Sequence, residues 1–220
     1  MYDQASYSTE AANAPSQILA GGNYTTRKLI ITGGAALVAG TVLGPVLAAA
    51  SATVTVGTPI AGAGGTIGNG TIGDWTTDAG AMEGQWYLEV TATGDTGKYK
   101  VVRPDGTVEG VGTIGTPYNG ELNGTLGDGS NNWLVGDLIP ITVAYDWDEI
   151  EYKKSVAAAT DGSQHPRFVL AQDADASAGD VEAIAYETGQ IVGSALTLGA
   201  GHTITSIREG LLARGLVIDD

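Results

Sequence analysis

Apolar and polar positions alternate with a period of two along most of this chain. Trp86, Leu88, Val90 and Ala92 fall on one face of an extended stretch, with Tyr87, Glu89, Thr91 and Thr93 on the other, which predicts a half-buried strand. Ile139, Ile141, Val143 and Tyr145 repeat the pattern, and Pro140, which has no amide hydrogen to give a ladder, argues for an edge position. Tyr99-Lys100-Val101-Val102 runs into Arg103-Pro104-Asp105-Gly106 and returns through Thr107-Val108, the signature of a hairpin. Lys28-Leu29-Ile30-Ile31-Thr32 predicts a strand, Gly33-Gly34 a turn, and residues 37–44 a second extended stretch broken at Gly40. Phe168-Val169-Leu170-Ala171 differs from all of these: it is a short unbroken apolar run between turn residues, as expected of a strand buried on both faces. Only near the C-terminal end does the period lengthen. Ile204, Ile207 and Leu211 form a helical stripe, Ser206 with Glu209 suggests a capping box, Gly215 a stop, and Leu216-Val217-Ile218 a closing strand. Gly210 inside that helix costs about 1 kcal/mol relative to Ala, so a close neighbour is expected there.

The alternation divides the chain. Residues 1–22 are rich in Ala, Ser, Asn and Gln, contain Pro15 and Gly21-Gly22, and predict a flexible arm with one apolar point at Ile18-Leu19-Ala20. After Ala50 the composition shifts to a Gly/Thr-rich alternation that ends near Trp147, so residues 53–147 are expected to be an inserted β domain in a discontinuous core of 23–52 and 148–220. Pairing of Val54-Thr55-Val56 with the 139–145 strand would bring the ends of the insert together. Gly-Thr-Ile-Gly recurs at irregular spacing and supports no solenoid.

Composition sharpens the class. With 34 Gly, one Phe and many Thr and Val, the expectation is a mainly β fold with minor α content: a small β-rich core, one short C-terminal helix and a sandwich-like insert. The absence of Cys removes disulfides and thiolate metal sites, which leaves packing or assembly as the source of robustness. A net charge of −15 opposes contact with a nucleic-acid backbone. The apolar run from Ala35 to Ala50 is interrupted by Gly40, Gly44 and Pro45 and falls short of a spanning helix. No basic-then-apolar leader is seen, so no signal peptide is expected.

Candidate chemistry is sparse. Gly68-Asn69-Gly70-Thr71-Ile72-Gly73 satisfies a dinucleotide-binding glycine spacing, but no helix follows to hold a pyrophosphate, so no cofactor is expected. Asp173, Asp175, Ser177 and Asp180 alternate like calcium ligands, yet Gly179 falls one place late and Ile184 stands where a bidentate Glu belongs. A loop whose carboxylates cap backbone amides is the better reading, and no metal is expected. His165 and His202 lie in predicted turns with no Cys or third His to complete a site, and adjacent carboxylates such as Asp148-Glu149 define no cleft. No catalytic residue is assigned. Trp75, Tyr118 and Trp133 could stack a sugar, but a domain this poor in Leu, Ile and Phe needs large rings to bury area, which favours core over platform.

Asp161-Gly162-Ser163-Gln164, Pro166, the apolar 168–171 run, Asp173-Ala174-Asp175-Ala176 and Gly179-Asp180 together resemble the core of the lambda-type head decoration proteins of tailed bacteriophages. Arg27 to Thr32, Gly40-Thr41-Val42-Leu43-Gly44 and Ala195-Leu196-Thr197-Leu198 fit the same order of parts, so the resemblance covers roughly 20–50 and 150–220. It implies a non-enzymatic homotrimer on the outer surface of the virion capsid, made in the bacterial cytoplasm. Such a protein sits at local three-fold positions of the expanded head and cements the major capsid protein, with no nucleic-acid or membrane partner. Ile18, Leu19, Leu29, Ile30 and Ile31 are the residues expected to touch capsid, and removal of 1–22 is expected to abolish occupancy. The alternative is a virion-displayed module whose insert recognises host-surface glycan through Trp75, Tyr118 and Trp133.

Overall fold

The computed structural model describes residues 18–220. In chain order the strands are β1 (Leu19–Ile31), β2 (Ala36–Leu37) and β3 (Val42–Val46), followed by β4 (Ala52–Val56), β5 (Thr76–Thr77), β6 (Gly84–Ala92), β7 (Lys98–Val102), β8 (Val108–Thr113), β9 (Tyr118–Asn119), β10 (Leu122–Gly124) and β11 (Leu138–Tyr145). The chain returns through β12 (Glu151–Lys154), β13 (Phe168–Leu170), β14 (Ala174–Asp175) and β15 (Val181–Val192), then the helix α1 (Ile204–Leu212) and β16 (Leu216–Asp219). The fold is mainly β, with several sheets and one short C-terminal helix.

Strands β1, β12, β3, β13 and β15 are hydrogen-bonded in that order, and β15 pairs back onto β1, so the sheet closes into a five-stranded barrel. Closure removes most strand edges. β16 adds in parallel to the far end of β15, with Gly189 opposite Leu216 and Val192 opposite Asp219. β13 is buried on both faces as its unbroken apolar run predicts: Phe168 and Leu170 enter the main core, and Val169 enters a second cluster with Val42, Ile191, Ile207, Leu211 and Leu216 beneath α1.

β1 begins at Leu19, well before the strand expected from Lys28. Its first half is polar and Gly-containing, with no alternation to read, and is held by main-chain pairing to β15 from Leu19 opposite Ile191 to Ile31 opposite Val181. Register shifts near Gly21 and Thr25 bend it, and Gly21 and Gly22 adopt φ of 140° and 78°, which suits glycine. Residues 18–22 of the expected arm therefore belong to the barrel, while residues 1–17 lie outside the described residues.

Between β3 and β12 stands a five-stranded antiparallel sheet in the order β4-β11-β6-β7-β8, with a three-stranded sheet β5-β10-β9 against it. Trp75 and Leu122 from the smaller sheet share a core with Trp86, Leu88, Tyr99 and Val101 from the larger. Val54 pairs with Val143, so the first and last strands of this stretch lie side by side. β11 is not at an edge: it pairs with both β4 and β6. Pro140 is tolerated because the β4 ladder ends at Val56 opposite Ile141, and the remaining bond on that side runs from the Gly57 amide to the Pro140 carbonyl, 2.8 Å. The core is continuous with that of the barrel through Tyr145, Ile150 and Tyr152.

The helix cap also differs from expectation. Thr203, three residues before Ser206, is the N-cap: its hydroxyl accepts from the Ser206 amide at 3.2 Å, and the Thr203 amide donates to the Ser206 hydroxyl at 2.9 Å. Ser206 supplies the reciprocal bond that the sequence suggested for Glu209. A Cβ on Gly210 would lie 3.3 Å from the Pro166 carbonyl, which accounts for the glycine within the helix.

Candidate functional surfaces

The residues weighed for chemistry are occupied structurally. Asp173 accepts from the Ala39 amide at 2.8 Å, and Asp175 accepts from the Ser177 amide at 3.0 Å and from its hydroxyl, so the acidic loop caps backbone as expected. The Asp175 carboxyl is held below its ordinary range by those Ser177 bonds. His202 shares a 3.0 Å hydrogen bond with the buried Ser155 hydroxyl, and His165 one of 3.2 Å with Gln164, its chain neighbour. Among the described residues no group of three or more His, Asp or Glu side chains could hold a metal ion, and no helix is long and apolar enough to cross a membrane.

Nor do the aromatics form a platform. Trp75 and Trp133 are buried, and their rings lie on glycines: a Cβ on Gly124 would enter the Trp75 ring, and one on Gly68 would come 2.9 Å from the Trp133 ring. The Trp133 indole donates to the Gly127 carbonyl at 2.9 Å. Tyr118 is half-buried, donates to Glu109 at 3.2 Å and packs near Tyr99. Burial pushes the phenols of Tyr99 and Tyr118 up to about 12, with the Glu109 charge adding to the effect at Tyr118. The glycan reading thus loses its stacking surface to core packing. Two of the three glycines of the dinucleotide-like spacing are explained by the same packing, since Gly68 and Gly70 both sit on Trp133.

The five residues expected at the capsid contact divide. Ile18, Leu29 and Ile31 are buried within the chain itself, whereas Leu19 and Ile30 are half-buried. What β1 offers outward is backbone. It pairs with β12 only at Ile30 and Ile31, so its outer edge from Ala20 to Leu29 has no ladder partner among the described residues. Tyr24 is 54 % exposed there, standing edge-on to Tyr186 with ring centroids 5.7 Å apart. Beside this edge a cavity of ≈ 180 Å³ is lined by Arg27, Leu29, Trp147, Asp148 and Ile150. Arg27 holds the chain across it by pairing with Asp148 and, at 3.7 Å, with Glu187.

Two further features escape sequence reasoning. Asp137 is fully buried and staples the 57–75 loop: its carboxylate accepts from the amides of Gly62 at 3.0 Å, Gly68 at 3.2 Å and Leu134 at 2.9 Å. A lone Asp after Gly136 carries no pattern that would reveal this. Second, a cleft of ≈ 380 Å³ separates the barrel from the insert, lined by Leu47, Met82, Glu83, Trp147, Arg167 and Arg214 among others. The Arg167 guanidinium lies 3.7 Å from the centroid of the Trp147 ring, and the Trp147 indole donates to Glu83 at 3.0 Å. Burial lowers the pKa of Arg167 from its ordinary value, and the neighbouring Arg214 charge acts in the same direction.

The structure is a closed barrel in which β1 keeps a long strand edge without a ladder partner among the described residues, with a second β unit between β3 and β12. The family model described as Bacteriophage lambda head decoration protein D matches residues 7–215, and the chain belongs to that family. The family is structural and non-enzymatic, and its membership gives this chain a capsid-decorating role in the virion. The match runs wider than the two segments that carry the resemblance in sequence and takes in residues 53–147 as well. No curated protein matches the sequence. Among solved structures, two crystal forms of Xanthomonas campestris FlgL show similarity at 18% identity. One has a TM-score of 0.31 and covers 51% of this chain and 34% of that one; the other has a TM-score of 0.30 and covers 47% and 31%. The chain spans about a third of the length of those structures.

Proposed function

We propose that this chain is a homotrimeric cement protein that binds the outside of the expanded phage head at local three-fold positions, contacting the major capsid protein. There it holds neighbouring subunits together against the pressure of packaged DNA. The observation that carries the reading is the family match over residues 7–215. The open edge of β1 supports a mode of contact: a strand from the shell that adds to residues 20–29 gains main-chain hydrogen bonds and continues the barrel sheet outward. Leu19, Tyr24 and Ile30 supply side-chain contact along that edge, while Ile18, Leu29 and Ile31 hold the strand in place from inside. Residues 1–17 extend the same contact, and the ordering cost of joining them to the shell is offset by the bonds formed. Three such contacts per trimer act as one multivalent clamp. The 53–147 unit projects away from the shell, where its acidic side chains are well solvated.

The test is removal of residues 1–17, which leaves Ile18 and β1 intact, followed by light scattering and co-sedimentation with expanded and unexpanded heads. The full chain is expected to be a trimer, or a monomer that trimerises on the shell, and to bind expanded heads alone; the truncated chain is expected to keep the same mass in solution and lose occupancy. Undiminished occupancy would overturn the role of the N-terminal residues, and equal binding to both kinds of head would overturn recognition of the expanded shell.

A further inference from the structure

We propose that the cleft between the barrel and the insert is where one copy of this chain grips an acidic segment of the next. The inference deepens the self-association put forward above and rests on it. Arg27, Lys28, Arg103, Lys153 and Arg208 each have a carboxylate partner within the chain. Lys98, Lys100, Lys154, Arg167 and Arg214 have none among the described residues, and of these five it is the two arginines that line this one cleft, in a chain of 25 acidic side chains against 10 basic ones. The one carboxylate that lines it with them, Glu83, is engaged by the Trp147 indole at 3.0 Å. Arg167 is held ready. Its backbone amide is fixed by the Leu43 carbonyl at 2.8 Å, and one face of its guanidinium is covered by Trp147, which holds the charge at the cleft for an incoming carboxylate. Its Nε is buried without a partner, so the geometry within the chain does not satisfy it. Leu47, Met82 and Pro166 give the rest of the cleft an apolar wall suited to the aliphatic part of an incoming segment.

The occupant follows from charge. Two bodies of net charge −15 repel, so association of this chain with itself needs cationic recesses that accept the neighbour's carboxylates. A cleft on one copy and an acidic segment on the next make a head-to-tail contact, the kind that closes into a ring when the rotation allows. The insert forms one wall of the cleft and thereby enters the assembly contact.

The experiment measures the association of the full chain by sedimentation for wild type, Arg214→Glu and Arg167→Glu, with head co-sedimentation run on the same samples. Arg214 is exposed, so its replacement leaves folding intact, and circular dichroism checks the Arg167 variant. Each variant is expected to weaken association at least tenfold. In a parallel sample, the amine introduced by Arg214→Lys should be coupled by carbodiimide to an Asp or Glu of another copy, and the cross-linked peptide identifies the segment. Wild-type association in both charge-reversal variants would overturn the proposal and leave the decoration role standing. Loss of head binding at unchanged mass would also overturn it, by assigning the cleft to the shell. A chain that stays monomeric in solution and on heads would remove both this contact and the trimer.

Discussion

Inside the barrel the space between strands is filled mostly by aliphatic side chains, Ile31, Leu43, Leu170, Ala183 and Ala185, with the Phe168 and Tyr152 rings edge-on to each other among them, and the second cluster beneath α1 is wholly aliphatic at its centre. Inside residues 53–147 the aliphatic strand residues are joined by Trp75, Trp86, Trp133 and Tyr99, and the backbone opposite Trp75, Trp133 and Tyr99 is glycine at Gly68, Gly70, Gly112 and Gly124. Barrel closure brings five strands around a narrow interior that small branched side chains fill. The insert stacks a large sheet on a small one whose strands are only two or three residues long, and long loops complete its second face. Loops offer few side chains at regular spacing, so a few rings, each burying roughly 150–250 Å², supply area that periodic aliphatics supply elsewhere. The glycines are the counterpart of those rings. They let the loop backbone lie flat on the indoles.

That contrast can be broken by substitution. The largest effect is expected at Phe168→Ala, which removes a ring buried on the central barrel strand and packed 5.2 Å from the Tyr152 ring. A loss of about 4 kcal/mol is expected, within the range for such truncations, and hydrogen exchange should report it throughout the barrel. Gly70→Val puts a branched side chain where the Trp133 indole and the Gly127 carbonyl already stand. A cost of about 3 kcal/mol is expected, at the upper end of overpacking penalties, with exchange accelerating in residues 60–135 and little change in β13. Equal acceleration in both regions would mean that the two cores behave as one cooperative unit, which their contact through Tyr145, Ile150 and Tyr152 also permits. Asp137→Ala strands three amides and is expected to cost about 2–3 kcal/mol, read as a lowered denaturant midpoint with unchanged slope.

A pH scan sharpens the comparison from the alkaline side. The folded-state pKa values of Tyr99 and Tyr118 are raised to about 12, above the ordinary value of 10.0, so the native state prefers the neutral phenols. Their contribution is complete below about pH 10 and is lost as pH rises through about 12. Alkaline unfolding is therefore expected to begin in the insert, with phenolate absorbance appearing together with the red shift of Trp133 emission. Phenolate formation at pH 10 without that shift would show that the rings are accessible to water. The smallest effect expected is at the helix cap: Thr203→Ala should cost about 1 kcal/mol, visible as a modest drop in thermal midpoint.

Much of the sheet structure was legible because burial on one face imposes alternation. The face carrying Trp86, Leu88 and Val90 and the double burial of residues 168–170 needed no more than that. The first half of β1 was not legible: Gly21, Thr25 and Thr26 are strand residues through main-chain pairing to β15, and no local pattern encodes a partner about 160 residues away. Pro140 misled because the rule against proline in central strands concerns the missing donor, and here the neighbouring ladder ends beside it. The surfaces were harder still. Hydrophobicity marked Ile18, Leu29 and Ile31, and hydrophobicity is what placed them inside, whereas the offered edge is backbone. Trp147 and Arg167 lie 3.7 Å apart across a stretch of twenty residues with no periodicity linking them, so their stacking belongs to the fold alone.

The pairing of β4 with β11 has a practical consequence. Ala52 faces Tyr145, so the chain leaves and re-enters the barrel at neighbouring positions, separated by one inter-strand spacing of about 5 Å. Any polypeptide whose own termini lie that close could be grafted at this point without stretching the host. The graft would need a substitute lid over Leu47 and Ile150, which the present occupant covers. The barrel then becomes a socket, and a head carrying many copies an array for cargo of the experimenter's choosing.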